Sequence, residues 1–370
     1  MANINKRKKA RNYVMTGISL IALALLLYMA NSGLWFSSYV VRIMRLCGVY
    51  AIASLSLTLI SGLTGQFSLG QAGFMAIGAY VTTLLILSPE AKESMFYITP
   101  IVPWLRDLHM PFLPALLLGG ILSALFAFLI GFPVLRLKSD YLAIATLGFS
   151  EIIRIIITNA TSITNSSAGI RAIPDTANIW WTTITAGICV FSLLRLMKTS
   201  YGRAFKAIRD DEVAAESIGV SLFKHKMLSF IISAFLAGIS GGLMASVVGV
   251  LTPIFFRFTL TYEILLIVVL GGQGSISGTV VASVIITVAR ELLRFLDEGF
   301  NIGPLQVPAI PGMRMLVFSV FLMVIILFYR DGLFGSREFS WDMVFDFFGG
   351  LGKRVKKLFS KLKVKGGEKT

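Results

Sequence analysis

The sequence predicts an all-α integral membrane protein, a polytopic helical bundle of about 8–10 transmembrane segments. Three observations carry that expectation. Hydrophobic residues make up 56% of the 370 and charged residues only 14%, with a mean hydropathy of +0.80. A soluble shell so poor in charge would expose large apolar patches to water. Apolar runs close to bilayer length recur along the chain. Finally, the net charge of +15 is concentrated at the two ends, which carry +12 of it between them.

The elements follow in order. Residues 1–12 form a basic N-terminus with Lys6, Arg7, Lys8, Lys9 and Arg11 and no acid. The first apolar run, Tyr13–Ala30, gives about 27 Å of helix against a hydrocarbon thickness of roughly 30 Å. It is longer than the apolar core of an ordinary secretory signal. Further runs lie at Met44–Ile60, Gly70–Leu87, Phe112–Leu135, Tyr141–Thr158, Trp181–Met197, Leu228–Val250, Tyr262–Arg290 and Met313–Tyr329. The Tyr262–Arg290 run is long for one crossing and short for two, and glycines interrupt it; a broken or re-entrant helix is expected there. Residues 13–335 thus form the membrane domain. Residues 336–370 form a basic tail in which Leu351, Val355, Leu358, Phe359 and Leu362 recur at helical spacing, an amphipathic pattern suited to the surface of an anionic lipid leaflet.

Loop charge sets the orientation. The hydrophilic stretch 198–226 carries Lys198, Arg203, Lys206, Arg209, Lys224 and Lys226 and is expected inside; the loop 88–111 lacks such an excess and is expected outside. Both termini are then cytoplasmic. Basic ends flanking apolar spans also argue against nucleic-acid binding, which needs a basic face on a folded domain.

Enzymatic signatures are scarce. The chain has no GxxxxGK[ST], GxSxG or HExxH pattern, and Gly272-x-Gly274 sits between apolar runs rather than between a strand and a helix. Only His109 and His225 are available to metals or acid–base work, and Cys47 and Cys189 lie in separate apolar runs. What remains is polar material at membrane depth. The stretch 62–73 (GLTGQFSLGQAG) contains Gly62, Gly65, Gln66, Ser68, Gly70, Gln71 and Gly73. The stretch 271–278 (GGQGSISG) contains Gly271, Gly272, Gly274, Ser275 and Gly278. Such segments weaken a helix by roughly 1 kcal/mol per glycine. They persist in a membrane where they line a cavity or allow close helix packing, and both roles are open here. Two breaks in separate halves also point to pseudo-symmetric transporter halves. Glu151 and Arg154 are three residues apart in an apolar run and share a helix face, as an intramembrane charge pair.

In these stretches the sequence resembles the permease subunits of branched-chain amino acid ABC importers, in their LivM-type form. The resemblance rests on 62–80, 137–154, 201–219 (YGRAFKAIRDDEVAAESIG), 270–278 and 330–335 (RDGLFG), in order and at family spacing. It implies a type II importer-like membrane domain forming half of a translocation pathway for Leu, Ile and Val. The implied partners are a homologous LivH-type permease, two cytoplasmic ABC ATPases and an extracytoplasmic substrate-binding protein, in a bacterial or archaeal plasma membrane. ATP and Mg would be held by the ATPases, leaving this chain without a cofactor, metal or catalytic residue. The resemblance also makes 201–219 the ATPase-coupling helix, with Tyr201, Gly202, Arg203, Lys206, Arg209, Asp210, Asp211, Ala214, Ala215 and Gly219 as its expected coupling residues. Ala214-Ala215-x-x-x-Gly219 matches the permease loop pattern, but Val213 stands where a glutamate is expected. The middle of the chain also resembles urea-importer permeases, so a urea or amide importer is the alternative. An ion-coupled secondary transporter is a further rival, with Glu151 the best-placed ionisable group. The loop 159–175, with Asn159, Asn165, Gly169 and Ile170, would face the binding protein.

Overall fold

The structure is a computed structural model that describes residues 2–33, 36–97, 99–137, 139–298, 300–302, 305–307, 312–328, 332–335, 338, 339 and 341. The amphipathic pattern of 351–362, and Arg330 and Asp331 of the last family stretch, lie outside the described residues. The chain divides into two compact units, Phe36–Arg337 and a smaller one of Met1–Trp35 with Glu338–Thr370. In the smaller unit, helix α1 (Ala2–Asn31) contains an 18-residue apolar stretch, Val14–Asn31.

The larger unit is helical almost throughout. Its apolar helices are α2 (Ser38–Leu57), α3 (Gln71–Ile86), then, after short α4 (Pro89–Met95) and α5 (Pro103–Arg106), α6 (Phe112–Val134) and α7 (Ser139–Asn159). Short α8 (Thr161–Thr164) leads to α9 (Ile179–Leu196). A polar helical hairpin, α10 (Ser200–Asp210) and α11 (Glu212–Ser217), precedes α12 (Leu222–Val248). Next come α13 (Phe258–Gly271), α14 (Ile276–Leu292), one turn α15 (Phe295–Glu298) and α16 (Met313–Phe328). A small antiparallel hairpin, β1 (Phe300–Ile302) with β2 (Leu305–Val307), lies before α16.

Among the described residues of both units, six helices are long and apolar enough to cross a membrane, or seven if the bent α3–α4 pair is one span. The sequence expectation of about 8–10 counted every apolar run. Several of those runs fold as shorter helices: α13 has 14 residues and α16 has 16, which is about 21–24 Å of helix.

The core is built on α12, which packs against α2, α3 and α6. Small residues allow this. A side chain at Gly78 would strike the Gly238 backbone, and one at Gly241 would strike Met75. Such glycine contacts bring helix backbones close where hydrophobicity gives no drive between helices. The outer helices differ sharply. The span containing α2 is 83% buried, whereas α9 is only 22% buried and exposes Ile184, Ile188 and Phe191. An outward apolar face of this kind is stable in lipid and not in water.

Candidate functional site

The hydrophilic stretch after α9 folds as two helices rather than one. Asp211 is extended (φ −160°, ψ 115°), and its Oδ1 accepts hydrogen bonds from the Val213 and Ala214 N–H groups at 2.8 and 3.0 Å. It is therefore the N-cap of α11. Gly219 closes α11 at φ +87°, a left-handed position natural to glycine, with the Val220 N–H donating back to the Ala215 carbonyl at 3.1 Å.

Sequence composition indicated no long apolar face here; a short one exists. Gly202, Phe205 and Ile208 form a buried stripe along α10, and Ala215 is the buried residue of α11. Gly202 is small because a side chain there would meet the Leu196 carbonyl at 2.6 Å. Phe205 and Tyr201 lie against the His225 ring on α12, and Lys226 Nζ reaches Glu212 at 2.6 Å. Thus the hairpin is docked on the end of α12. Arg203, Lys206, Asp210 and Ala214 face outward, as do Val213 and Ile218, which are 74% and 76% exposed.

Both glycine breaks come to this same end. After α2 the chain makes a π-helical turn, Thr58–Leu63, and then runs without helix to Gly70. A side chain at Gly62 would meet the Gly274 nitrogen at 2.9 Å, so the two breaks touch. Arg209 lies against both: Nη1 donates to the Gly62 carbonyl at 3.4 Å, while a Cβ at Gly65 would sit 3.0 Å from Arg209 Cα and one at Gly274 would sit 3.1 Å from Nη1. The turn 332–335 joins the cluster, with the Leu333 N–H donating to the Leu270 carbonyl at 2.7 Å. Sequence stretches hundreds of residues apart are therefore one structural feature.

Most polar groups of the first break find partners on neighbouring helices; Gln66 Oε1 is buried without one. Gln66 Nε2 donates to Ser229 Oγ at 2.9 Å and Gln71 Nε2 to Ser233 Oγ at 2.9 Å. Gln71 Oε1 accepts from Ser56 Oγ at 3.1 Å. The freed Leu69 and Ala72 N–H groups donate to Thr146 and Thr261 hydroxyls at 3.0 and 3.1 Å. Gln66, Ser68 and Gln71 are all buried. Gly70 and Gly73 let the segment approach α7, where side chains would meet the Thr146 carbonyl and Ser150 Cα at 3.2 and 2.9 Å. At the second break, Gly272 (φ +105°) turns the chain, Ser275 Oγ caps α14 by accepting from the Gly278 N–H at 3.0 Å, and Gly271 packs on Gly278 and Thr279. Thr58 and Thr279 hydroxyls, 2.9 Å apart, tie the two breaks together. These glycines sit at close backbone approaches, and the polar side chains make interhelical hydrogen bonds.

Glu151 and Arg154 pair at 2.7 Å on α7, each side chain about a quarter exposed. In the loop after α7, Asn165 adopts a left-handed conformation (φ 58°) and its Nδ2 donates to the Gly169 carbonyl at 2.8 Å. Asn159 Nδ2 donates to Ile155 O at 2.8 Å, and Ile170 is buried in a two-residue bridge to Leu251.

One charged site escaped sequence reasoning. The break at 272–275 folds α14 back along α13 and pairs Glu263 with Arg290. Arg290 Nη2 also donates to the buried Tyr50 hydroxyl at 2.9 Å. The spacing of the two charges about the glycine break was the available signal, once a hairpin is assumed. Among the described residues no group of three His, Cys, Asp or Glu side chains could hold a metal ion.

Comparison with known proteins gives the family. A family model described as the permease component of the branched-chain amino acid transport system matches residues 39–328. The chain is 36% identical over 284 residues to the high-affinity branched-chain amino acid transport system permease protein LivM of Salmonella typhimurium, covering 68% of this chain and 62% of that protein. It is 35% identical over 292 residues to LivM of Escherichia coli K12, covering 70% and 64%. The LivH permease of Salmonella typhimurium is 25% identical over 283 residues, covering 71% and 88%. The matched region thus spans less than two thirds of the length of either LivM relative.

Proposed function

This chain belongs to the branched-chain amino acid transport permease family, and from that premise we propose that it is one of two membrane subunits of an ATP-driven importer of Leu, Ile and Val. It is a multi-pass membrane protein. A LivH-type permease supplies the other half of the pathway, two cytoplasmic ABC ATPases drive it, and an external binding protein delivers the solute. The ATPases hold ATP and Mg; this chain contributes movement rather than chemistry. The α10–α11 end of the bundle faces the cytosol, and both chain termini lie on that side of a bacterial or archaeal plasma membrane.

The observation that best supports this reading is the α10–α11 hairpin. It is docked by a narrow buried stripe and leaves Val213 and Ile218 exposed beside Arg203, Lys206 and Asp210. An exposed apolar pair on a cytosolic helix fits a partner's groove. Through Arg209 the same hairpin touches the breaks of α2 and of α13–α14, so displacement of the hairpin is transmitted to both. Tyr201, Gly202, Ala214, Ala215 and Gly219 shape the hairpin; Arg209 and Asp211 hold it in place.

The test is uptake by proteoliposomes carrying the full complex. Leucine should accumulate with ATP inside and not with an ion gradient alone. Accumulation driven by a gradient without ATP favours a secondary transporter, and accumulation of urea in place of leucine assigns a urea importer.

A further inference from the structure

We propose that the Tyr50–Glu263–Arg290 cluster, far along the bundle from the α10–α11 hairpin, is a transit site for a zwitterionic amino acid. This deepens the proposed function and rests on it. The cluster borders a cavity of about 350 Å³. Small-molecule sites begin at roughly 300 Å³. Met244, Val248, Leu260 and Phe318 supply an apolar wall, and Glu263 and Arg290 supply one charge of each sign. From Glu263 to Gly271 is about 12 Å of helix, and from Ile276 to Arg290 about 21 Å, so the pair lies towards the end of the bundle opposite the second glycine break, with Arg290 in the last turn of α14 and both side chains about a quarter exposed. Ionisable groups on apolar spans that face a cavity mark solute pathways.

The arrangement selects a zwitterion. An incoming α-carboxylate takes the place of the Glu263 carboxylate on the Arg290 fork, and the α-ammonium takes the place of Arg290 at Glu263. Each charge keeps an opposite partner throughout, whereas a simple anion or cation leaves one unpaired. Tyr50 holds the fork during the exchange, through its hydroxyl at 2.9 Å and its ring, whose centroid is 5.0 Å from the guanidinium carbon. The aliphatic side chain then lies on the apolar wall.

The experiment uses the full complex in proteoliposomes with saturating loaded binding protein, reading leucine moved per ATP hydrolysed. Glu263→Gln and Arg290→Lys should lower that ratio about tenfold, well beyond any accompanying change in ATPase rate or melting temperature, the mark of an interaction lost in the transport step. Met244→Trp, which narrows the cavity without touching the charges, should reduce leucine uptake several-fold more than valine uptake. An unchanged ratio in both charge variants, or a loss that merely follows ATPase rate and melting temperature, overturns the site. An unchanged leucine-to-valine preference in Met244→Trp does so as well. Failure of the unsubstituted complex to move leucine overturns the proposed function itself, a result distinguishable because it is read before any substitution.

Discussion

Arg209 Nη1 donates to the Gly62 carbonyl at 3.4 Å, joining the polar hairpin to the first helix break across 147 positions of sequence. The same guanidinium pairs with Asp210 at 2.8 Å and lies beside Gly274 of the second break. One side chain therefore reads the position of three segments. In the coupling account, it is the linkage between the hairpin and the helices that rearrange.

Arg209→Ala should accordingly separate function from stability. A half-exposed contact of this sort is worth about 1 kcal/mol or less, so the melting temperature should move by a few degrees at most. Uptake should fall about tenfold, an effect of the coupling step. Arg209→Lys should recover only part of it, since an ammonium lacks the planar fork that serves Asp210 and Gly62 together. Paired uptake and thermal-unfolding measurements check this.

Gly65 and Gly219 provide a matched comparison. Both have left-handed backbones, φ +77° and +87°, so alanine at either costs about 1–2 kcal/mol. A Cβ at Gly65 presses on Arg209 at 3.0 Å, whereas one at Gly219 meets nothing within 4 Å. Gly65→Ala should thus reduce uptake well beyond Gly219→Ala, for the same backbone strain.

Gln71 bridges Ser56 and Ser233 inside the bundle. Gln71→Leu keeps much of the volume and removes both hydrogen bonds. Loss of about 1–3 kcal/mol is expected, the cost of stranding buried polar partners, and thermal unfolding in detergent measures it.

Lys92 is fully buried on α4, in the connection between α3 and α6, where its Nζ donates to the Leu105, Arg106 and Leu108 carbonyls at 2.9, 3.4 and 2.5 Å. Lys92→Met leaves those carbonyls without their donor. A loss of about 1–3 kcal/mol is predicted, with proteolysis in the 97–110 segment as its readout.

Much of this architecture was legible beforehand. Apolar runs located the helices because burial in lipid or in a helical core demands continuous hydrophobicity. The glycine-rich stretches 62–73 and 271–278 marked the two breaks correctly. What could not be read was their meeting. Periodicity reports which face of one helix is apolar and says nothing about which distant segments pack together, so the contact of Gly62 with Gly274 and Arg209 was invisible. The Glu263–Arg290 pair was missed for the same reason. Asp211 was legible as a polar residue, but its work as the α11 cap depends on a local break in an otherwise helix-favouring stretch. The end of α13 at Gly271 was legible, since glycines interrupt the Tyr262–Arg290 run where the helix stops.

The central claim is that the α10–α11 hairpin is where the ATPases grip this chain. Val213, exposed at the tip and remote from the buried Cys47 and Cys189, is suited to a single introduced thiol. In membranes containing the complete transporter, Val213→Cys treated with a short bifunctional thiol reagent should crosslink to an ATPase subunit, and ATP should change the yield. A Val213→Cys thiol that reacts freely with a water-soluble maleimide yet never crosslinks to an ATPase, with uptake intact, would contradict the account.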